Sequence, residues 1–162
     1  MAVILVEGVT DRIALEAAAE RLGLDLGGAE IVPIGGAQAV RRVAAGYGDA
    51  LLAGMCDAGE ERYFRRVLGD AAFVCTADLE DELIRALGPE RVEAVLAEQG
   101  DLETFRSFQN QPHWRGRPVE AQLRRWMQAS DNRGKRYPPL LLESLAPEEI
   151  PAPLVGVLAT VG

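Results

Sequence analysis

The stretch Val3-Ile4-Leu5-Val6-Glu7-Gly8-Val9-Thr10-Asp11 decides the fold. Its four leading apolar residues show no polar alternation, the pattern of a strand buried on both faces in the middle of a parallel sheet. Glu7 ends the run abruptly, and Gly8 behind it permits close approach of backbone or ligand. Thr10 or Asp11 is predicted to cap a helix whose apolar face is Ile13, Leu15, Ala18, Ala19 and Leu22, with Gly23 as its stop. A strand that hands over to a helix through an acidic turn is half of a βαβ unit.

Outward from there the same alternation recurs. Ile31-Val32-Pro33-Ile34 reads as a second strand, with Pro33 placing its end at an edge or a turn, and Gly35-Gly36 turns into a helix over 37–45. Ala50 to Cys56 reads as a third strand ending at Asp57, followed by a helix over 60–68. Ala72-Phe73-Val74-Cys75 is a fourth strand, and Asp78 caps a helix carrying Leu79, Leu83, Ile84 and Leu87. Strands separated by single helices imply right-handed crossovers and a four-stranded parallel sheet in an α/β domain over residues 1–88. Residues 89–162 read as a helical C-terminal subdomain packed on it, with helices over 119–127, 137–145 and 151–161. Asp131-Asn132-Arg133-Gly134 is predicted to be a loop.

Composition narrows the function. The 162 residues are 48% hydrophobic and 26% charged, which excludes wholesale disorder. No apolar run reaches the length of a membrane span and Met1 to Val6 lacks a basic leader, so a cytoplasmic protein without membrane contact is predicted. Two cysteines and one histidine exclude a disulfide scaffold, a four-cysteine zinc site and catalysis by a histidine pair. The net charge of −8 is unevenly placed: residues 1–100 hold 9 Arg against 18 acids, whereas 101–162 hold 8 Arg plus Lys against 7 acids. Within 104–137, Arg106, Arg115, Arg117, Arg124, Arg125, Arg133, Lys135 and Arg136 oppose only Glu120 and Asp131, and Phe105, Phe108, Trp114, Trp126 and Tyr137 lie among them. Such a stretch can follow a phosphate backbone and stack bases, or it can be an ordinary helical surface paired with the acidic first half.

Ligands of an open parallel sheet lie outside the carboxyl ends of its strands. Glu7, Asp11, Asp57, Glu60, Asp78 and Glu80 all fall at that edge by topology. Clustered carboxylates raise one another's pKa unless a cation neutralises them, and an all-oxygen donor set suits Mg²⁺ or Mn²⁺. Glu61, Asp81 and Glu82 read instead as first-turn and solvated-face acids.

Leu5-Val6-Glu7-Gly8-Val9-Thr10-Asp11, with Met55-Cys56-Asp57 ending the third strand, resembles the two acidic motifs of the TOPRIM domain. The Glu-Gly-x-x-Asp form, with Gly35-Gly36 after the second strand, is most similar to the TOPRIM domain of the OLD (overcoming lysogenization defect) nucleases, and the whole chain resembles small stand-alone actinobacterial members. The resemblance implies a Mg²⁺-dependent DNA endonuclease or nicking phosphodiesterase. Glu7 would be the principal acid, Asp11 and Asp57 would join it on a metal, Glu80 would serve a second, and Lys135 would stabilise charge on the scissile phosphate. DNA contacts would come from Arg115, Arg117, Arg124, Arg125, Arg133, Lys135 and Arg136. The chain reads Asp57-Ala58-Gly59 where the family pattern is Asp-x-Asp. That departure motivates an alternative, a module that binds nucleic acid or a partner ATPase without hydrolysis. No GxxxxGK[ST] element is present, so no ATP site is assigned and any ATPase would be a separate partner. A homo-oligomer stays open.

Overall fold

The computed structural model describes all 162 residues, Met1–Gly162. In chain order it contains β1 (Ala2–Val6), α1 (Val9–Leu22), β2 (Glu30–Pro33), α2 (Val40–Ala45, preceded by a 3-10 turn at Ala37–Ala39), β3 (Leu51–Cys56), α3 (Glu61–Leu68), β4 (Ala72–Val74), α4 (Leu79–Leu87), α5 (Pro89–Glu98), α6 (Leu102–Gln109), α7 (Val119–Gln128), α8 (Asp131–Glu143) and α9 (Ala152–Val161). The four strands form one parallel sheet in the order β2-β1-β3-β4. The apolar run that opened the sequence reading is a central strand, as its lack of alternation requires.

Strand alternation divides the interior in two. Ile4, Val6, Ala53 and Met55 face a large core of 28 residues built with α1, α4, α5, α7, α8 and α9. Val3, Leu5 and Cys56 face a core of 9 residues closed by Phe64 of α3 and by Val40 and Ala44 of α2. The sheet is thus thickly covered on one side and carries only two helices on the other. Two glycines set the closest approaches. A Cβ on Gly54 would meet Leu68 Cδ1 at 2.6 Å, which fixes how near α3 sits to β3; one on Gly156 would meet the Phe73 ring at 2.5 Å, which does the same for α9. The helices beyond Gly88 share the large core with α1 and α4 rather than standing apart.

Three expectations need correcting. The cap of α1 is Gly8, in extended conformation, and the helix begins at Val9; Asp11 lies in the first turn and accepts the Gly8 N–H at 3.1 Å. The expected loop 131–134 is the first turn of α8, capped by Ser130, and the helix continues through Pro138 and Pro139. Asp, Asn and Gly are turn formers by local preference, but packing along α1 holds them in the helix. The aromatic residues thought able to stack bases are mostly core. Phe105, Trp126 and Tyr137 are fully or almost fully buried, with Trp126 edge-on to both neighbours at 5.8 and 5.4 Å. No helix is long and apolar enough to cross a membrane.

Candidate metal centre at the carboxyl edge of the sheet

Each strand delivers its next residues to the same rim. Glu7 follows β1, Gly35 and Gly36 follow β2, Asp57 follows β3, and Asp78 and Glu80 follow β4 at the start of α4. With Thr10 and Asp11 from α1, Leu79, and Gln128 from the end of α7, they line one cavity of about 470 Å³. A larger groove of about 600 Å³ lies elsewhere, between α5 and α6, with the end of α4 and the start of α7 at its margins. Both of its arginines are already paired, Arg106 with Glu93 and Arg91 with Glu149.

The acids of the rim are not neutralised in this way. Burial pushes Glu7 above the usual carboxylate range, and the charges of Glu60 and Asp11 push it further. Asp11 is raised by burial, opposed in part by the Gly8 N–H, with Asp78 adding to the rise. Asp57 is pushed up to about 7, first by burial and then by Asp11, Glu7, Asp78 and Glu80. Glu80 is raised by burial, with Gln128 pulling the other way. Glu7 Oε1 is buried with no hydrogen-bond partner. An orphaned carboxylate oxygen beside like charges is what a hard divalent cation relieves, so the donor set fits one. As the side chains stand, no three His, Cys, Asp or Glu residues are drawn together as a ready ligand set. Convergence on an ion therefore requires side-chain rotation around the cavity.

Asp78 differs from its neighbours. Its Oδ1 caps α4 by accepting the Asp81 N–H at 3.0 Å. Its Oδ2 accepts from Arg124 Nε at 2.9 Å and from Gln128 Nε2 at 2.8 Å, and the Arg124 guanidinium is also ion-paired to it, with Nη2 at 2.7 Å. Three accepted bonds and the Arg124 ion pair already engage this expected metal ligand, so its charge is answered within the chain. Gln128 also donates to Glu80 Oε2 at 3.3 Å, so Arg124 and Gln128, one turn apart on α7, grip the acids of the β4 turn. Sequence reasoning missed Gln128. Its spacing from Arg124 is visible, but its partners lie about fifty positions away. Glu60 sits in the 3-10 turn Ala58–Glu60, outside the cavity lining, and acts on Glu7 only through its charge. Gly59 points a Cβ position into open space and has no left-handed φ.

The basic candidates are dispersed. Arg124 is bound to Asp78, Arg136 to Asp101, and Lys135 Nζ lies 3.5 Å from Asp131. Arg115 and Arg117 donate to the carbonyls of Asn110 and His113. Arg133 donates to the Trp126 carbonyl and lies over its ring. Arg125 is exposed and forms no ion pair. Lys135 does not line the cavity, although its neighbour Gly134 lies beside Thr10, which does.

The chain is an α/β protein with a four-stranded parallel sheet and a carboxylate rim. The comparisons refine that description. Residues 1–48 match the family model of the overcoming lysogenization defect protein-like TOPRIM domain, a span that holds Glu7 and Asp11. The C-terminal region of the Burkholderia pseudomallei OLD protein superposes with a TM-score of 0.71 at 16% identity, covering 99% of this chain and 96% of that one. The corresponding region of the Xanthomonas campestris pv. campestris OLD protein gives 0.68 at 21% identity, covering 99% and 93%. No curated protein matches the sequence. The chain shares its fold, over its whole length, with the C-terminal regions of OLD proteins, and its first 48 residues match the OLD-like TOPRIM family model.

Proposed function

We propose that the protein is a Mg²⁺- or Mn²⁺-dependent nuclease that hydrolyses phosphodiester bonds in DNA. One observation carries the reading: Glu7, Asp11, Asp57 and Glu80 share a cavity in which Glu7 Oε1 is buried without a partner. TOPRIM domains generally bind divalent metal ions, and in the OLD family they act on nucleic acid. Here Glu7, Asp11 and Asp57 would hold one ion and Glu80 would serve a second. When bound, such an ion polarises a phosphoryl oxygen and acidifies a water. The chain's own part is to orient the donors. Asp11 is fixed by the Gly8 N–H, and Glu80 is held by Gln128, which also donates to Asp78. Lys135, on the helix that passes Thr10, is assigned to the phosphate.

Nicking of supercoiled plasmid tests this. Pure protein should relax the plasmid with Mg²⁺ or Mn²⁺ and not with EDTA, and Glu7→Ala should abolish the reaction. Metal-dependent nicking that survives Glu7→Ala would refute the assignment. A second reading, a module that binds nucleic acid or a separate ATPase without cleavage, is favoured by Gly59 and by the open arrangement of the acids. Nucleic-acid binding with no nicking in either metal would select it.

A further inference from the structure

The thinly covered side of the sheet presents a basic face in a chain of net charge −8. Only α2 and α3 lie there, packed against each other. At 100° per residue, Val40 and Ala44 turn α2 toward the sheet, so Arg42 points away from it and Arg41 lies to the side. On α3, Phe64 faces the sheet, so Arg62 and Arg66, one turn apart, both point to solvent. All four arginines are exposed, and none of them forms an ion pair; on these two helices only Arg65 has a carboxylate partner, Glu61. Arg62 donates to the Tyr63 hydroxyl at 2.8 Å and lies over that ring, which steadies its guanidinium without neutralising it.

Like charges one turn apart weaken a helix, so Arg62 and Arg66 are a local cost unless an anion answers them. The position of the face says which anion. α2 begins just beyond Gly35-Gly36, and α3 just beyond Asp57 and the turn that follows it, so both helices start at the carboxylate cavity and lead away from it. We propose that the α2–α3 face is a nucleic-acid backbone track, with Arg41, Arg42, Arg62 and Arg66 contacting successive phosphates and leading the strand to the rim. The destination of the track rests on the nuclease reading; its existence does not.

The test is binding of a labelled DNA duplex in EDTA, where no cleavage occurs, followed by fluorescence polarisation across a salt series. The triple variant Arg42→Gln, Arg62→Gln, Arg66→Gln keeps helix propensity and should retain the wild-type circular dichroism and melting temperature. It should bind about tenfold or more weakly near 50 mM salt, and the slope of log K against log salt should shallow by about 2.7, the share of three phosphate contacts. Arg115→Gln, Arg117→Gln, Arg125→Gln should bind within about threefold of wild type on the same scale. The track is overturned if the first triple binds like wild type, if the second is the one that fails, or if polyglutamate of equal charge displaces the duplex as well as DNA does. Strong binding through α2–α3 without nicking by the wild type would leave the track and remove the nuclease. Nicking that is indifferent to the triple would do the reverse.

Discussion

Two regions stand out by charge in the sequence, and the fold treats them in opposite ways. The acids at the strand ends come from positions 7, 11, 57 and 80 and are brought into one cavity, where burial and mutual repulsion raise their pKa values. The basic, aromatic segment 104–137 is contiguous in sequence and is taken apart. Trp126, Phe105 and Tyr137 enter the core, and Arg106, Arg124, Lys135 and Arg136 are matched to acids. Contiguity along a helix says little about what shares a surface. Topology does: every strand of a parallel sheet ends at the same edge, so an acid that terminates a buried strand is placed before any packing detail is known.

The contrast can be broken at either end. The largest effect is expected in the basic segment. Trp126→Ala should cost about 3–5 kcal/mol in a urea melt, as emptying a buried aromatic site does. Its DNA affinity at a temperature where it stays folded should match wild type; a selective loss of binding in a fully stable variant would restore Trp126 as a base-stacking residue. At the rim, Glu7→Gln should lower metal-dependent nicking at least about 10²-fold, roughly 2.7 kcal/mol, with little change in the melt. Equal loss of stability would mean that Glu7 is structural.

Gln128→Ala sharpens the comparison, since Gln128 comes from the basic segment yet serves the rim. It should raise the Mg²⁺ concentration for half-maximal nicking about tenfold while leaving the rate at saturating metal close to wild type, the signature of a group that orients a ligand. A fall in the saturated rate alone would contradict a positioning role.

Asp57 gives a dependence on pH. Its pKa is 3.8 in the open chain and about 7 in the fold, so the folded state retains a proton that the unfolded chain has lost. The stability it contributes is complete below about 3.8 and disappears as pH rises through about 7. In metal-free buffer the melting temperature should therefore decline between those values. Mg²⁺ should raise it more at pH 8 than at pH 5 by binding only the folded, ionised site. Asp57→Asn should weaken both trends and leave the smaller share of Glu7, Asp11 and Glu80, which are raised in the same direction; an undiminished slope would assign the effect to those acids alone. The smallest effect belongs to Gly59→Asp. Open space at that Cβ should hold the stability change to about 0.5 kcal/mol or less, and the added carboxylate should tighten Mn²⁺ binding.

Much of the scaffold was legible from particular residues. Continuous apolar runs located β1 and β3, and Glu7 and Asp57 fell at the rim because each ends such a run. What was not legible depends on partners distant in sequence. Asp78 has the side chain of a metal ligand, and only the arrival of Arg124 and Gln128 from α7 shows that its oxygens are occupied. The start of α8 was hidden by the turn-type residues Asp131-Asn132-Arg133-Gly134, which packing against α1 holds in a helical turn. The arginines of α2 and α3 were obscured by lying about twenty positions apart within the acidic half, and the fold alone sets them side by side.

The most direct measurement is Mn²⁺ binding followed by calorimetry at neutral pH, with wild type, Glu7→Gln, Asp57→Asn and Asp78→Asn compared. A site shared by Glu7 and Asp57 requires saturable binding to wild type, a loss of about tenfold or more in each of the first two variants, and retained binding in a folded Asp78→Asn. Undiminished Mn²⁺ affinity in both Glu7→Gln and Asp57→Asn would contradict a metal centre at this edge of the sheet.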